Sequence, residues 1–168
     1  VLEDIRSFNE NLFLCCLLTY GCLLRPHQEI RQLKWGDFNE DLTLISLPGK
    51  RNKSGRNRIV PVSPFISQHL KAGERENNIF TGTRTPHNRY YFSTLWSRYK
   101  EQSNLIEDNQ TLYSFRHTGA IDVFQRTGSL TKLQQVMGHS NMTVSLGYLR
   151  NLELPTLTME DMPVLNHG

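Results

Sequence analysis

The sequence predicts a mixed α/β domain, mainly helical, with a small antiparallel β-sheet. Apolar residues are dense and free of proline from Leu2 to Leu24, as in buried helix. Leu42, Leu44 and Leu47 alternate with Thr43 and Ser46, and Ile59, Val60 and Val62 follow beyond a basic, glycine-containing stretch. That pattern predicts two strands joined by a long hairpin. From residue 88 onward, apolar and aromatic residues recur at helical spacing in successive segments.

The opening segment reads as one long helix or two short ones packed in the core. Its longest apolar run, Leu12 to Leu24, is broken by Thr19, Tyr20 and Gly21 and falls short of the roughly 20 residues that span a bilayer. The helix stops at Arg25-Pro26. Pro26 suits the first turn of a new helix, and Glu29, Ile30 and Leu33 extend a helical spacing to Trp35. After the hairpin, Ser63-Pro64 opens a helix with Phe65, Ile66 and Leu70 on one face. A second runs from about Asn88 to Lys100, where Tyr91, Phe92, Leu95, Trp96 and Tyr99 form a stripe expected to be core. A third spans about Tyr113 to Arg126 and closes on Gly128; Ser129 caps a short one through Met137; Met142 to Leu149 begins another. The stretch from Leu152 to Gly168 has two prolines and no sustained period, and is expected to be a tail.

A length of 168 residues suits one domain with one core. The first residue is Val1, no charged and apolar leader follows, and a fragment of a longer protein is expected. Cys15, Cys16 and Cys22 lie inside the apolar run without metal-ligand spacing. They read as buried free thiols in a reducing, cytoplasmic compartment. The net charge of +3 discriminates little. Its distribution says more: Lys50, Arg51, Lys53, Arg56 and Arg58 fall within nine residues that hold no acid. Such a hairpin could be a solvated loop, but its density of cations favours contact with a nucleic-acid backbone.

Several cations and a histidine stand where helices begin or turn: Arg25 before Pro26, Arg116 in Ser-Phe-Arg-His-Thr, and His139 in Met-Gly-His-Ser. Arginine is the side chain best shaped to grip phosphate oxygens, through a planar fork.

The ordered set resembles the tyrosine recombinase (phage integrase) family, over about Leu12 to Tyr148. Cys22-Leu23-Leu24-Arg25, followed by Glu29-Ile30 and Leu33-Lys34-Trp35-Gly36-Asp37, looks like the box whose arginine binds the scissile phosphate. Lys53-Ser54-Gly55 ahead of Arg58-Ile59-Val60-Pro61-Val62 is similar to the hairpin of the catalytic lysine. Phe115-Arg116-His117-Thr118 matches the second arginine box. Met137-Gly138-His139-Ser140, with Tyr148 nine residues after His139, matches the box of the nucleophilic tyrosine. Two positions depart from the pattern. Glu29 lies four residues after Arg25 where the family places its acid three after, and Tyr113 stands where the second box begins with histidine. Residues three and four apart share a helix face, so Glu29 can still buttress Arg25. A phenol makes a hydrogen bond but cannot shuttle protons near neutrality as imidazole does.

The resemblance implies the tyrosine recombinase catalytic-domain fold. It also implies a separate helical domain that clamps the far side of the duplex, and a homo-oligomer, a tetramer, on paired DNA sites. The implied function is site-specific recombination or integration through a covalent 3′-phosphotyrosine. Arg25, Lys53, Tyr113, Arg116, His139 and Tyr148 would be catalytic, and Lys50, Arg51, Arg56 and Arg58 would bind DNA. The charge added at phosphorus can be held by arginines and a histidine, so no metal or other cofactor is expected. Lys53, between Arg51 and Arg56, is suited to give the leaving 5′ oxygen its proton. His117 reads as a structural hydrogen-bonding residue, and Tyr20, Tyr90, Tyr91 and Tyr99 as packing or DNA-facing surface. The rival readings are a topoisomerase-like nicking-closing enzyme and a noncatalytic DNA-binding relative. The second should have lost Arg25, Arg116 or Tyr148; the chain keeps all of them.

Overall fold

The computed structural model describes residues 1–51, 57–138 and 158–165, and of Arg51 only the backbone. Its opening segment forms two helices, α1 (Leu2–Phe8) and α2 (Glu10–Gly21). Asn9 separates them: its backbone is extended and its side chain accepts from the Leu12 N–H at 2.9 Å, capping α2. Helix α2 buries residues on all sides, Leu12, Phe13, Cys15, Cys16, Leu17, Leu18 and Thr19 among them, as expected of a helix that runs through a core. The cysteines are free and buried.

Beyond Arg25 the structure departs from the expected helix. The Arg25 carbonyl accepts from both Glu29 N–H (3.1 Å) and Ile30 N–H (2.9 Å), and two short 3₁₀ turns follow at Ile30–Gln32 and Trp35–Asp37. The N–H groups of Trp35 and Gly36 bond outward to the carbonyls of Asn77 (3.1 Å) and Arg75 (2.8 Å). With those donors engaged elsewhere, an α-helix through Trp35 cannot propagate.

Strands β1 (Leu44–Leu47) and β2 (Arg58–Pro61) form the antiparallel sheet, with Ile45 opposite Val60 and Leu47 opposite Arg58. Ile45, Leu47, Arg58 and Val60 face inward, while Ile59 faces solvent. A short helix α3 (Pro64–Ser67) follows, with Ser63 at its N-cap and Pro64 in its first turn. Helix α4 (Tyr91–Gln102) buries Phe92, Trp96 and Tyr99 of the aromatic stripe, whereas Tyr90, just before it, is exposed.

Helix α5 (Leu112–Thr127) ends on Gly128 at φ +63°, and Ser129 caps α6 (Leu130–Met137) by accepting from the Lys132 N–H at 3.1 Å. Helices α2 and α5 pack tightly. At Gly119 a Cβ atom would collide with the backbone carbonyl of Tyr20, so only glycine permits this approach. A further 3₁₀ turn lies at Met159–Asp161. Among the described residues no helix is long and apolar enough to cross a membrane, and no group of His, Cys, Asp and Glu is placed to hold a metal ion. The helix expected from Met142 lies outside the described residues.

Candidate active site

The site begins where α2 ends. Cys22 closes the helix, and Leu23 follows at φ +57°, in the left-handed region. A residue other than glycine adopts that region only when its surroundings hold it there. Here the Leu23 carbonyl accepts from Arg116 Nε at 2.7 Å. Gly119 lies one turn beyond Arg116 on the same face of α5. The close helix contact that Gly119 permits is therefore what brings Arg116 to Leu23.

Arg116 is 1% exposed, and its Nη2 donates to the Met137 carbonyl at 2.7 Å, at the end of α6. Arg25, two residues beyond Leu23, is also buried. Its backbone N–H donates to Glu29 Oε1 at 2.8 Å, and its Nη1 lies 3.6 Å from the same oxygen without a hydrogen bond. The four-residue spacing thus places Glu29 against Arg25, within a turn and not along a helix.

Arg58 requires a correction. Expected with the hairpin cations on the DNA, it is 4% exposed and points into the protein. Its Nη2 donates to Glu29 Oε1 at 3.0 Å and its Nη1 to the Met137 carbonyl at 3.3 Å. Burial lowers its pKa, and the Glu29 carboxylate beside it opposes that shift. The alternation of β2 contained the signal: Val60 faces in and Ile59 out, so Arg58 must face in as well. Arg25, Glu29, Arg58 and Arg116 are therefore linked through one carboxylate and one carbonyl. Among the described residues the buried Arg25 and Arg58 guanidiniums share one carboxylate, an excess of positive charge suited to an anion.

Tyr113 stands one turn before Arg116 on α5, 38% exposed, and its hydroxyl donates to Gln28 Oε1 at 3.3 Å. The Tyr113 and His27 rings lie 6.2 Å apart. Burial first, and Arg31 second, lower the His27 pKa. Beside them His27, Gln28, Arg31, Arg89 and Tyr90 line an open cleft of about 460 Å³. The sequence reading missed these cations, which are separated by more than fifty residues along the chain and gathered only by the fold. Lys50 is exposed at the start of the hairpin. Lys53, Arg56, His139, Tyr148 and the Arg51 side chain lie outside the described residues.

The profile of the phage integrase family matches residues 4–154, and the chain belongs to that family. It is 27% identical over 158 residues to the tyrosine recombinase XerA of Pyrococcus horikoshii, an alignment that covers 89% of this chain and 54% of that protein. XerA of Thermococcus onnurineus is 26% identical over 156 residues, with the same coverage. The chain thus spans about half the length of the curated relatives it matches. Among solved structures, a crystal structure of XerA recombinase superposes with a TM-score of 0.70 at 17% identity, covering 88% of this chain and 56% of that one. The Tn1549 transposon integrase in complex with circular intermediate DNA gives 0.64 at 18% identity, covering 95% of this chain and 59% of that one. These likenesses agree with a mainly helical catalytic-domain fold bearing a small antiparallel sheet.

Proposed function

We propose that this chain is the catalytic part of a tyrosine-type site-specific recombinase that cuts and rejoins double-stranded DNA, working as a homotetramer on paired sites. The observation that carries the reading is the buried pair Arg25 and Arg58 on the Glu29 carboxylate, with Arg116 joined to Arg58 through the Met137 carbonyl. Arg25 Nη1 is buried without a hydrogen bond among the described residues. A buried donor of this kind calls for an acceptor, and a nonbridging oxygen of a phosphodiester is one of matching charge.

In this reading the Tyr148 hydroxyl gives its proton to solvent water as its oxygen attacks phosphorus, and the bond from phosphorus to the 5′ oxygen breaks. Arg25, Arg116 and His139 hold the nonbridging oxygens, where charge grows in the transition state. Lys53 gives its proton to the departing 5′ oxygen. The 3′-phosphotyrosine keeps the energy of the broken backbone bond, so the reverse attack by a 5′ hydroxyl reseals the strand without ATP. Tyr113 orients the phosphate or Arg116, and Lys50, Arg51 and Arg56 contact the DNA backbone. Arg31 and Arg89 of the neighbouring cleft extend that contact.

The test is covalent capture on a nicked trap duplex by the full-length protein. Wild type should give an adduct on the 3′ phosphate that vanishes in Tyr148→Phe. An adduct that persists in that variant, or one that maps to Tyr113, overturns the assignment.

A further inference from the structure

Arg58 has no task in the mechanism above, yet it is among the most enclosed charges in the protein, with its side chain 2% exposed against a fully buried Glu29 carboxylate. Isolated buried charges are costly, and a guanidinium placed so deep needs partners that fix it. Both partners belong to the site. Glu29 Oε1 is 3.0 Å from Arg58 Nη2 and 3.6 Å from Arg25 Nη1. The carboxylate is thus hydrogen-bonded to the Arg58 guanidinium and to the Arg25 backbone N–H but only near the Arg25 guanidinium, which leaves the Arg25 fork for another anion. On its other arm Arg58 shares the Met137 carbonyl with Arg116.

Gly138, directly before His139 in sequence, adds a second constraint. It sits at φ +69°, and a Cβ there would collide with the Arg58 guanidinium. Arg58 therefore packs against the Gly138 backbone, inside the last sequence box. Five residues before it along the chain is Lys53.

We propose that Arg58 is a positioning residue for strand cleavage. It holds the Glu29 carboxylate off the Arg25 fork and fixes the Met137 carbonyl that also orients Arg116. This rests on the reading of Arg25 and Arg116 as phosphate ligands. Without Arg58, the buried Glu29 carboxylate keeps Arg25 as its cation and draws it from the phosphate.

Single-turnover cleavage of the trap duplex by the full-length protein, with DNA affinity measured across salt concentrations, tests this. Arg58→Met should slow cleavage at saturating DNA roughly 10- to 100-fold, the range found when a group that orients a ligand is removed. The slope of log affinity against log salt should stay at the wild-type value, because no phosphate contact is lost. Combined with Arg25→Ala, Arg58→Met should cost less than it does alone, since the part of its effect that acts through Glu29 runs through Arg25. Arg58→Lys keeps the charge but, as a point donor, cannot span Glu29 and the Met137 carbonyl. It should bind DNA normally and cleave slowly, and it carries the test if Arg58→Met fails to fold. A salt slope reduced by about one would make Arg58 a direct phosphate contact and overturn the proposal. Wild-type cleavage by Arg58→Lys, or full additivity with Arg25→Ala, would also overturn it. If wild type itself forms no adduct, the recombinase reading fails and this inference falls with it; if wild type reacts and the Arg58 variants match it, this inference alone fails.

Discussion

Gly119→Ala tests whether the seam between α2 and α5 builds the site. In a solvent-facing helix this change stabilises by about 1 kcal/mol, through helix propensity. Here the new methyl meets the Tyr20 backbone carbonyl, which no rotamer change can move away. Relief requires the helices to part, at the roughly 1–3 kcal/mol usual for overpacking. Parting them also pulls Arg116 Nε from the Leu23 carbonyl, now 2.7 Å away, and a hydrogen bond to a charged group contributes about 1.5–3 kcal/mol. The net expectation is a loss of about 2–5 kcal/mol, opposite in sign to the propensity effect. Because misplacing a reacting group by 1 Å can cost on the order of 100-fold in rate, cleavage should fall steeply as well. Urea denaturation of the full-length protein, followed through this domain, and single-turnover trap cleavage measure the two effects. A Gly119→Ala protein that is stabilised and cleaves at the wild-type rate would refute the argument.

Lys53→Ala should slow cleavage of ordinary DNA by about 10²- to 10⁴-fold, as for a lost general acid. It should regain nearly wild-type cleavage when the bridging 5′ oxygen is replaced by sulfur, which leaves without a proton; equal defects on both substrates would reduce Lys53 to a positioning role. Tyr113→Phe should cost only the hydrogen bonding of its hydroxyl, the bond to Gln28 included, and Tyr113→His should be tolerated; a pH-rate profile that loses an ionisation in Tyr113→Phe would contradict an orienting role. Burial pushes the Cys22 thiol from 9.0 up to about 12. The unfolded chain therefore gives up that proton first as pH rises, so stability present below pH 9 should decline between 9 and 12. Cys22→Ser should flatten that decline in alkaline denaturation curves. His27 is shifted the other way, so its contribution is present above its ordinary pKa and lost as pH falls. His27→Gln should make stability less sensitive to mild acid, and an unchanged profile would show that His27 titrates as freely folded as unfolded.

The parts of the fold that were readable from sequence are those where one local rule acts alone. The αL turn at Gly128 and the Ser129 cap were visible because glycine and serine have few rivals at helix ends. The two strands showed through their alternation. The expected helix through Trp35 failed because its backbone donors go to residues 75 and 77, a long-range choice that apolar spacing cannot express. Arg25, Glu29 and Arg116 were singled out by pattern, and the structure brings them into one connected cluster. Arg58 was assigned to the surface by its charge, although the two-residue period of β2 pointed inward; charge is the weaker guide when a buried carboxylate waits opposite. The cleft of Arg31 and Arg89 had no local signal at all.

The sharing of the Met137 carbonyl ties assembly of the site to completion of the fold. The bonds that gather the arginines span long stretches of chain: Arg116 to Leu23 across 93 residues, Arg58 to Met137 across 79, Arg58 to Glu29 across 29 and Arg116 to Met137 across 21. Each such closure must overcome chain entropy that only the finished core repays. A nascent chain still on the ribosome before α6 emerges has no Met137 carbonyl to seat either arginine. Assembly of the arginine cluster is thus coupled to completion of folding, and a half-made or locally melted copy lacks the arrangement on which the proposed strand cleavage rests.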